Sequence, residues 1–423
     1  MYTGLKILYR KTKKLLKQPD LLFSEEPTTF SGKGIPKWKL DLKLYSLANE
    51  LSDFKLEEKI GGFHCVPHPI ALEVWNKLLR FNPNNLGNWF LNDQNKLDGT
   101  RRVERNLIKM MVNLYGGKSD EWEGYVTSGA TESNIYSAWI ARNLLLKKFN
   151  SQKICQIVTD LTHYSIFKAA DIVGVGIFTT KLNRDSWSMD IDELEKVTEN
   201  LYKKGYRGFI LPLTLGYTQT GTSDDYEEIV ARVKEIERKF GVLFFVSIDA
   251  ALNGLVYPFT KKIFRPLRNP HVQTFCVDFH KAGMAPIPCG IVIYRKGLRK
   301  YIEKEIPYIN ENDNTLLGTR SGIPPVAAYF TVLTLGKEGT KDMLNTCMEN
   351  KEKFKRMVQT KFSGVEMAGD KHGISVGLIS TKQLPKEFLE KWDLFSKRQK
   401  FHFSSGDEDL FIYKAAFLPK PKN

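Results

Sequence analysis

Residues 208–249 read GFILPLTLGYTQTGTSDDYEEIVARVKEIERKFGVLFFVSID, and this stretch decides the fold. Gly208–Leu215 and Val242–Ile248 are continuous apolar runs of strand length, without the alternation of a strand that has one wet face. Between them Asp224–Phe240 carries helical periodicity. Thr222 and Asp225 look like a capping pair at its start, and Gly241 stops it. A strand, a helix and a second fully apolar strand make a crossover unit, which predicts a parallel sheet covered on both faces.

The same alternation extends in both directions. Further apolar runs are Tyr125-Val-Thr, Ile154–Thr159, Ile172–Thr180, Val272–Val277 and Gly290–Tyr294. Helices are predicted over Arg101–Tyr115, with an apolar stripe at Val103, Leu107, Met110, Met111 and Leu114, and over Thr131–Phe149 and Asp192–Lys204. Before them, residues 1–75 read as an N-terminal segment that is partly irregular, broken by Pro36, Pro67, Pro69 and several glycines. After Gly322-Ile-Pro-Pro the texture changes to a long helix over Val326–Lys361, with a break near Gly336–Gly339. Weak strands follow near Gly373–Ser380 and Leu410–Phe417. The expected division is therefore 1–75, a large α/β domain over 76–322, and a smaller α+β domain over 323–423.

Bulk composition agrees with this plan. The chain has 423 residues, 42% of them apolar and 26% charged, which excludes a mostly disordered chain. No run of 18 apolar residues exists, so no transmembrane helix is expected, and the basic N-terminus lacks the apolar core of a signal peptide. The net charge is +15. Lys6, Arg10, Lys11, Lys13, Lys14 and Lys17 contribute without a compensating acid, and read as a solvated surface rather than a nucleic-acid or membrane contact. Five scattered cysteines, Cys65, Cys155, Cys276, Cys289 and Cys347, suit free thiols in a reducing compartment, here the cytoplasm.

Ligands of an open parallel sheet bind beyond the carboxyl ends of its strands. Five such ends carry chemistry. Ser128-Gly129-Ala130-Thr131 opens a helix and offers backbone N–H groups and the helix dipole to an anion. His163 supplies an imidazole, Gly216-Tyr217-Thr218 a hydroxyl, Asp249 a carboxylate, and His280-Lys281 an amine. Together they suit pyridoxal phosphate: an amine to link the aldehyde, a carboxylate to hold the ring nitrogen protonated, and a helix N-terminus for the phosphate. A carboxylate buried at a strand end also calls for a cation, which a pyridinium supplies. His64-Cys65-Val-Pro-His68 has metal-like residue types but not the spacing of a closed zinc site, and no metal is expected.

These stretches resemble the group II pyridoxal-phosphate-dependent amino-acid decarboxylases. The residues that carry the likeness are Gly124-Tyr-Val-Thr-Ser-Gly-Ala-Thr-Glu-Ser-Asn134, His163-Tyr-Ser, Asp249-Ala-Ala-Leu-Asn-Gly254, His280-Lys-Ala-Gly-Met-Ala-Pro-Ile-Pro-Cys-Gly290 and Leu317-Gly-Thr-Arg-Ser-Gly322. The flavour is that of the archaeal tyrosine/aspartate decarboxylases and the bacterial histidine decarboxylases, and the likeness spans roughly residues 85–345. It implies fold type I (aspartate-aminotransferase-like), a homodimer with its active site at the subunit interface, and conversion of an L-amino acid with an aromatic, histidine or acidic side chain to its amine and carbon dioxide.

The resemblance also implies roles. Lys281 is the Schiff-base lysine. Asp249 pairs with the pyridine nitrogen, Ala251 packs on the ring, and His163 stacks on the opposite face and orients the substrate carboxylate. Ser128, Gly129, Ala130 and His280 lie at the phosphate, where Ala130 replaces a commoner glycine. Thr218 stands near the ring hydroxyl, although Gly216-Tyr-Thr-Gln-Thr-Gly221 departs from the usual Gly-Thr-Thr. Tyr308 or His163 would return a proton to the carbon that has lost carbon dioxide. His64, Asn88 and Arg320 are substrate-contact candidates, with Phe63 and Trp89 of similar standing. Two alternatives share these motifs: a carbon–carbon lyase of the sphingosine-phosphate type, and a non-catalytic decarboxylase homologue.

Overall fold

The computed structural model describes residues 36–53, 59–62, 65–85, 98–150, 153–307 and 311–421. The chain divides into two compact units, Met1–Glu58 and Lys59–Asn423. The described part of the first is a helix over Lys37–Asp53.

The second unit holds the sheet that the sequence predicts. Along the chain come β1 (Trp122–Thr127), β2 (Ile154–Val158), β3 (Gly176–Thr179), β4 (Leu182–Asn183), β5 (Ser188–Met189), β6 (Gly208–Thr214), β7 (Leu243–Asp249), β8 (Val272–Asp278) and β9 (Gly290–Arg295). Seven of them form one sheet in the order β1-β9-β8-β7-β6-β2-β3. Neighbours from β3 to β8 run parallel, while β9 is antiparallel to both β8 and β1. β1, β2, β6 and β9 are buried almost throughout, which explains why their sequences show no alternation. This is the fold type I, α/β arrangement.

Predicted and observed helices agree to within a few residues: Asp98–Leu114, Ala130–Phe149, Ile191–Lys203 and Tyr226–Phe240. Asp225 caps the last of these by accepting from Glu228 N–H at 3.1 Å. Thr222 takes no part, because its hydroxyl donates to the Trp187 carbonyl at 2.7 Å. The run Ile172–Thr180 is corrected. Ile172 and Val173 end a helix, Tyr164–Val173, that Gly174 closes in the left-handed conformation (φ 70°), and the strand begins at Gly176. Two further helices, Lys37–Asp53 and Pro69–Leu78, begin in the stretch read as partly irregular, and the second runs past its boundary. Pro69 opens its helix at a position where no N–H is needed.

Beyond β9 come the hairpin β10 (Lys304–Ile306) and β11 (Glu311–Asp313), then a helix over Ile323–Lys361 interrupted at Gly336 (φ 58°, ψ −169°). β12 (Glu366–Ala368), β13 (Ser375–Ser380), β14 (Gln399–Phe403) and β15 (Gly406–Ala416) follow. They form a second sheet in the order β12-β13-β15-β14-β4-β5. Its last two strands come from residues 182–189, so the C-terminal sheet is completed by a ribbon from the middle of the chain. Leu182, Trp187, Ile379, Phe401, Phe403 and Ile412 share one buried cluster across that junction. Among the described residues no helix is long and apolar enough to cross a membrane.

Candidate active site

Register aligns the strand ends. Thr214 stands opposite Asp249, and Asp249 opposite Cys276; one pair further across, Asp278 and Thr127 both face Gly290. The loops that follow therefore converge on a cavity of about 300 Å³. All nine expected cofactor contacts line it: Ser128, Gly129, Ala130, His163, Thr218, Asp249, Ala251, His280 and Lys281. Asp278 lines it too and was not anticipated.

Lys281 Nζ lies 3.0 Å from Asp278 Oδ2, with both side chains largely buried. Burial alone would pull the lysine's proton affinity down, but Asp278 and Asp249 outweigh it, and the amine is held above its ordinary range as an ammonium. The other Asp278 oxygen, Oδ1, accepts from Ala130 N–H at 2.7 Å. Ser128 N–H donates to Glu132 Oε2 at 2.7 Å. The expected anion cradle is thus amended: two of its N–H groups already serve carboxylates. The hydroxyls of Ser128 and Thr131, the helix dipole and the His280 ring remain at the cavity wall for an anion.

Two glycines make this corner possible. Gly129 has φ 150° and ψ 177°, a conformation open to glycine, and a Cβ there would lie 3.0 Å from His280 Cε1. A Cβ at Gly290 would come within 2.7 Å of Gly129 Cα and 2.9 Å of Asp278 Oδ1. His280 is fixed by Nδ1, 2.8 Å from the Cys289 carbonyl oxygen.

Asp249 is 5% exposed. Its Oδ1 accepts from Ala251 N–H at 3.0 Å and its Oδ2 from Asn134 Nδ2 at 2.8 Å. The Cys276 thiol reaches Oδ1 at 3.7 Å, and burial together with the neighbouring carboxylates keeps that thiol protonated. Asn134 Nδ2 also reaches Ser165 Oγ at 2.9 Å, and Ser165 Oγ lies 2.8 Å from His163 Nδ1. His163 caps the Tyr164–Val173 helix, and burial lowers its proton affinity.

The departure at Tyr217 has a structural reason. Its ring is buried, and its hydroxyl donates to Asp224 at 2.9 Å and accepts from Thr159 at 3.2 Å, which fastens the loop that carries Thr218. Burial pushes the Asp224 carboxyl up to about 6.

Arg320 is corrected. Its guanidinium is paired with Glu104 at 2.7 Å, donates to the Asn85 carbonyl at 2.9 Å, and faces the Tyr125 ring. It lies outside the cavity lining and ties three segments together, which gives it a structural role. Tyr308, His64 and Asn88, with Phe63 and Trp89, lie outside the described residues. Lys414 on β15 was missed. It is half-buried, and burial together with the charge of Lys281 lowers its proton affinity. A single cation in a weak C-terminal strand, far along the chain from the motifs, carries no local signal. Asn134 and Ser165 stood inside quoted motifs, but their role depends on tertiary contacts. Among the described residues no group of three or more His, Cys, Asp or Glu side chains is placed to hold a metal ion.

The donor set fits pyridoxal phosphate. It combines a buried amine, a buried carboxylate one strand away, and a glycine corner at a helix N-terminus. Comparison with known proteins agrees. The profile of the pyridoxal-dependent decarboxylase conserved domain matches residues 100–380. A probable L-aspartate decarboxylase of Thermococcus gammatolerans is 32% identical over 308 residues, 70% of this chain and 73% of that protein. A tryptophan decarboxylase of Clostridium sporogenes is 30% identical over 282 residues, 64% of this chain and 66% of that protein. In fold, the L-methionine decarboxylase of Streptomyces sp. 590 superposes with a TM-score of 0.75 at 19% identity, covering 93% of this chain and 94% of the other. The Oryza sativa structure described as TDC with PLP and tryptamine gives 0.76 at 13% identity, covering 99% and 92%.

Proposed function

The chain belongs to the pyridoxal-dependent decarboxylase family and is a pyridoxal 5′-phosphate-dependent carboxy-lyase of an amino acid, and from that premise we propose that its substrate is an L-amino acid with an aromatic, histidine or acidic side chain. The observation that carries the cofactor chemistry is the juxtaposition of Lys281, Asp278 and Asp249 in one cavity, and the substrate class is supported by relatives described as tryptophan and probable L-aspartate decarboxylases. Bound there, the cofactor supplies an aldehyde that links to an amine and a ring that draws electrons from the bond to the carboxyl group.

The chain's residues divide the remaining work. Lys281 supplies the linking amine, and Asp278 holds its proton until the cofactor arrives. Asp249, at the end of β7, would hold a proton on the ring nitrogen. Ala251 and His163 would bound the two ring faces, Thr218 would stand at the ring hydroxyl, and Ser128, Gly129, Ala130 and His280, which line the same cavity, would hold the phosphate. Tyr308, which precedes Gly318 by ten residues, is the proposed acid for the product carbon. Lys414 adds a cation suited to a substrate carboxylate, while Leu252 and the exposed Ile287 give the cavity an apolar side.

The proposed assembly is a homodimer whose second subunit covers the mouth of the cavity. Tyr164, Ile287 and Leu333 support it: each apolar side chain is more than half exposed. Residues 76–322 are the proposed cofactor domain and 323–423 the smaller domain, completed by β4 and β5. Five buried free thiols favour a cytoplasmic location.

The test is carbon dioxide release from a panel of carboxyl-labelled L-amino acids with added cofactor. Turnover of a tyrosine-, tryptophan-, histidine-, aspartate- or glutamate-type substrate is expected. Release confined to small aliphatic amino acids contradicts the substrate class. Cleavage of a phosphorylated amino alcohol without carbon dioxide selects the lyase alternative.

A further inference from the structure

Hydrogen-bond bookkeeping fixes the protonation of His163. Asp249 Oδ2 is a carboxylate oxygen, so the Asn134 atom 2.8 Å from it is the amide nitrogen. That nitrogen has a second hydrogen, directed at Ser165 Oγ, 2.9 Å away. Ser165 is fully buried, and its oxygen is therefore an acceptor toward Asn134. Its single proton must go elsewhere, because an unmatched buried hydroxyl is costly. His163 Nδ1 stands 2.8 Å away to receive it. The Ser165 backbone N–H also points at Nδ1, at 3.3 Å, as the helix cap. Two donors thus converge on one ring nitrogen, which leaves it no room for a proton of its own.

We propose that Asn134 and Ser165 are positioning residues that hold His163 as the neutral tautomer with its proton on Nε2. The hydrogens run outward from Asn134, one branch to Asp249 and the other through Ser165 to His163. The carboxylate placed at the ring nitrogen and the imidazole placed at the ring face are thereby oriented by one amide. Protonating His163 at Nδ1 would set a third hydrogen against the two donors. The groups felt by the ring, Asp249, Lys281, Asp278 and Lys414, oppose one another in sign, and burial favours the neutral form in the same direction. His163 therefore acts in the cavity as a hydrogen-bond donor through Nε2–H and not as an imidazolium acid. The proton for the product carbon has to come from another group, which is the part assigned to Tyr308. This assignment rests on the decarboxylase reading. The tautomer itself does not.

The test uses the full chain without cofactor, labelled with ¹⁵N-histidine, and reads the side-chain nitrogen resonances. His163→Gln assigns the ring among the seven histidines. The expected spectrum has Nδ1 in the unprotonated range and Nε2 in the protonated range at neutral pH. Ser165→Ala and Asn134→Ala should each let the Nδ1–H tautomer appear. The first removes the hydroxyl donor, and the second leaves the Ser165 oxygen available to accept from Nδ1–H. Ser165→Thr, which keeps the hydroxyl, should restore the parent pattern. A protonated Nδ1 in the parent overturns the proposal, as does a Ser165→Ala spectrum identical to the parent. If Asn134→Ala does not fold, the Ser165 pair decides. No cofactor or substrate enters the measurement, so a failed substrate assignment leaves its outcome intact, and the reverse holds too.

Discussion

Lys281 and Asp249 are adjacent in space because β7 and β8 end together, and each carries a separate consequence. Replacing Asp249 with Asn keeps the size and one acceptor but removes the charge that would hold a proton on the cofactor ring. The expected loss of turnover is on the order of 10²-fold or more, about 2.7 kcal/mol of barrier. Carbon dioxide release within a few-fold of the parent would assign the ring nitrogen to another group. For Lys281 the sign follows from its raised proton affinity. Asp278 and Asp249 keep it as an ammonium at neutral pH, and an ammonium cannot attack an aldehyde. Cofactor uptake by the apoprotein, followed by absorbance in stopped flow, should therefore quicken with rising pH, by up to about tenfold per unit from about pH 7 to about pH 9. A flat profile would mean that the amine is already neutral in the cavity.

At the scale of elements, the strongest constraint outside the cavity is the Arg320–Glu104 pair. It joins the Asp98–Leu114 helix to the segment before the Ile323–Lys361 helix, and Arg320 also donates to the Val126 carbonyl of β1 at 3.3 Å. Glu104 is fully buried, so removing its partner leaves a charge inside the core. Arg320→Met should lower the unfolding free energy by about 3–5 kcal/mol. Denaturant titration checks this, and a loss below about 1 kcal/mol contradicts the structural assignment. Elements were also where the sequence was most legible. The strands of the seven-stranded sheet other than β3 showed as apolar runs, because burial on both faces leaves them few polar positions, whereas β3 is exposed or half-buried along its length. The Tyr164–Val173 helix was hidden for a related reason: Ile172 and Val173 abut the next strand, and one glycine is the whole boundary. β4 and β5 could not be read at all, since two-residue strands have no period, and β4 joins the second sheet through Leu182 opposite Phe403, far along the chain.

The cavity of the whole molecule was legible as a set of strand ends, and its wiring was not. Motif residues predicted which side chains meet. They did not reveal that Asp278 occupies the Ala130 N–H, that Arg320 belongs to the core, or that the charge of Lys414 on the last strand is felt by Lys281 and His163. Each of these depends on side-chain pairing between distant segments. The exposed apolar side chains at Tyr164, Ile287 and Leu333 predict that the purified protein runs as a dimer in light scattering at micromolar concentration. A stable, active monomer would place the whole site within one chain.

The central claim is that the cofactor is held through Lys281 and that decarboxylation proceeds from there. Borohydride reduction of the cofactor-loaded protein, followed by proteolysis and mass spectrometry, tests it directly. A pyridoxyl mass is expected on the peptide containing His280-Lys281, absent from Lys281→Ala together with carbon dioxide release. A pyridoxyl adduct on a different lysine, or its survival in Lys281→Ala, would contradict the account.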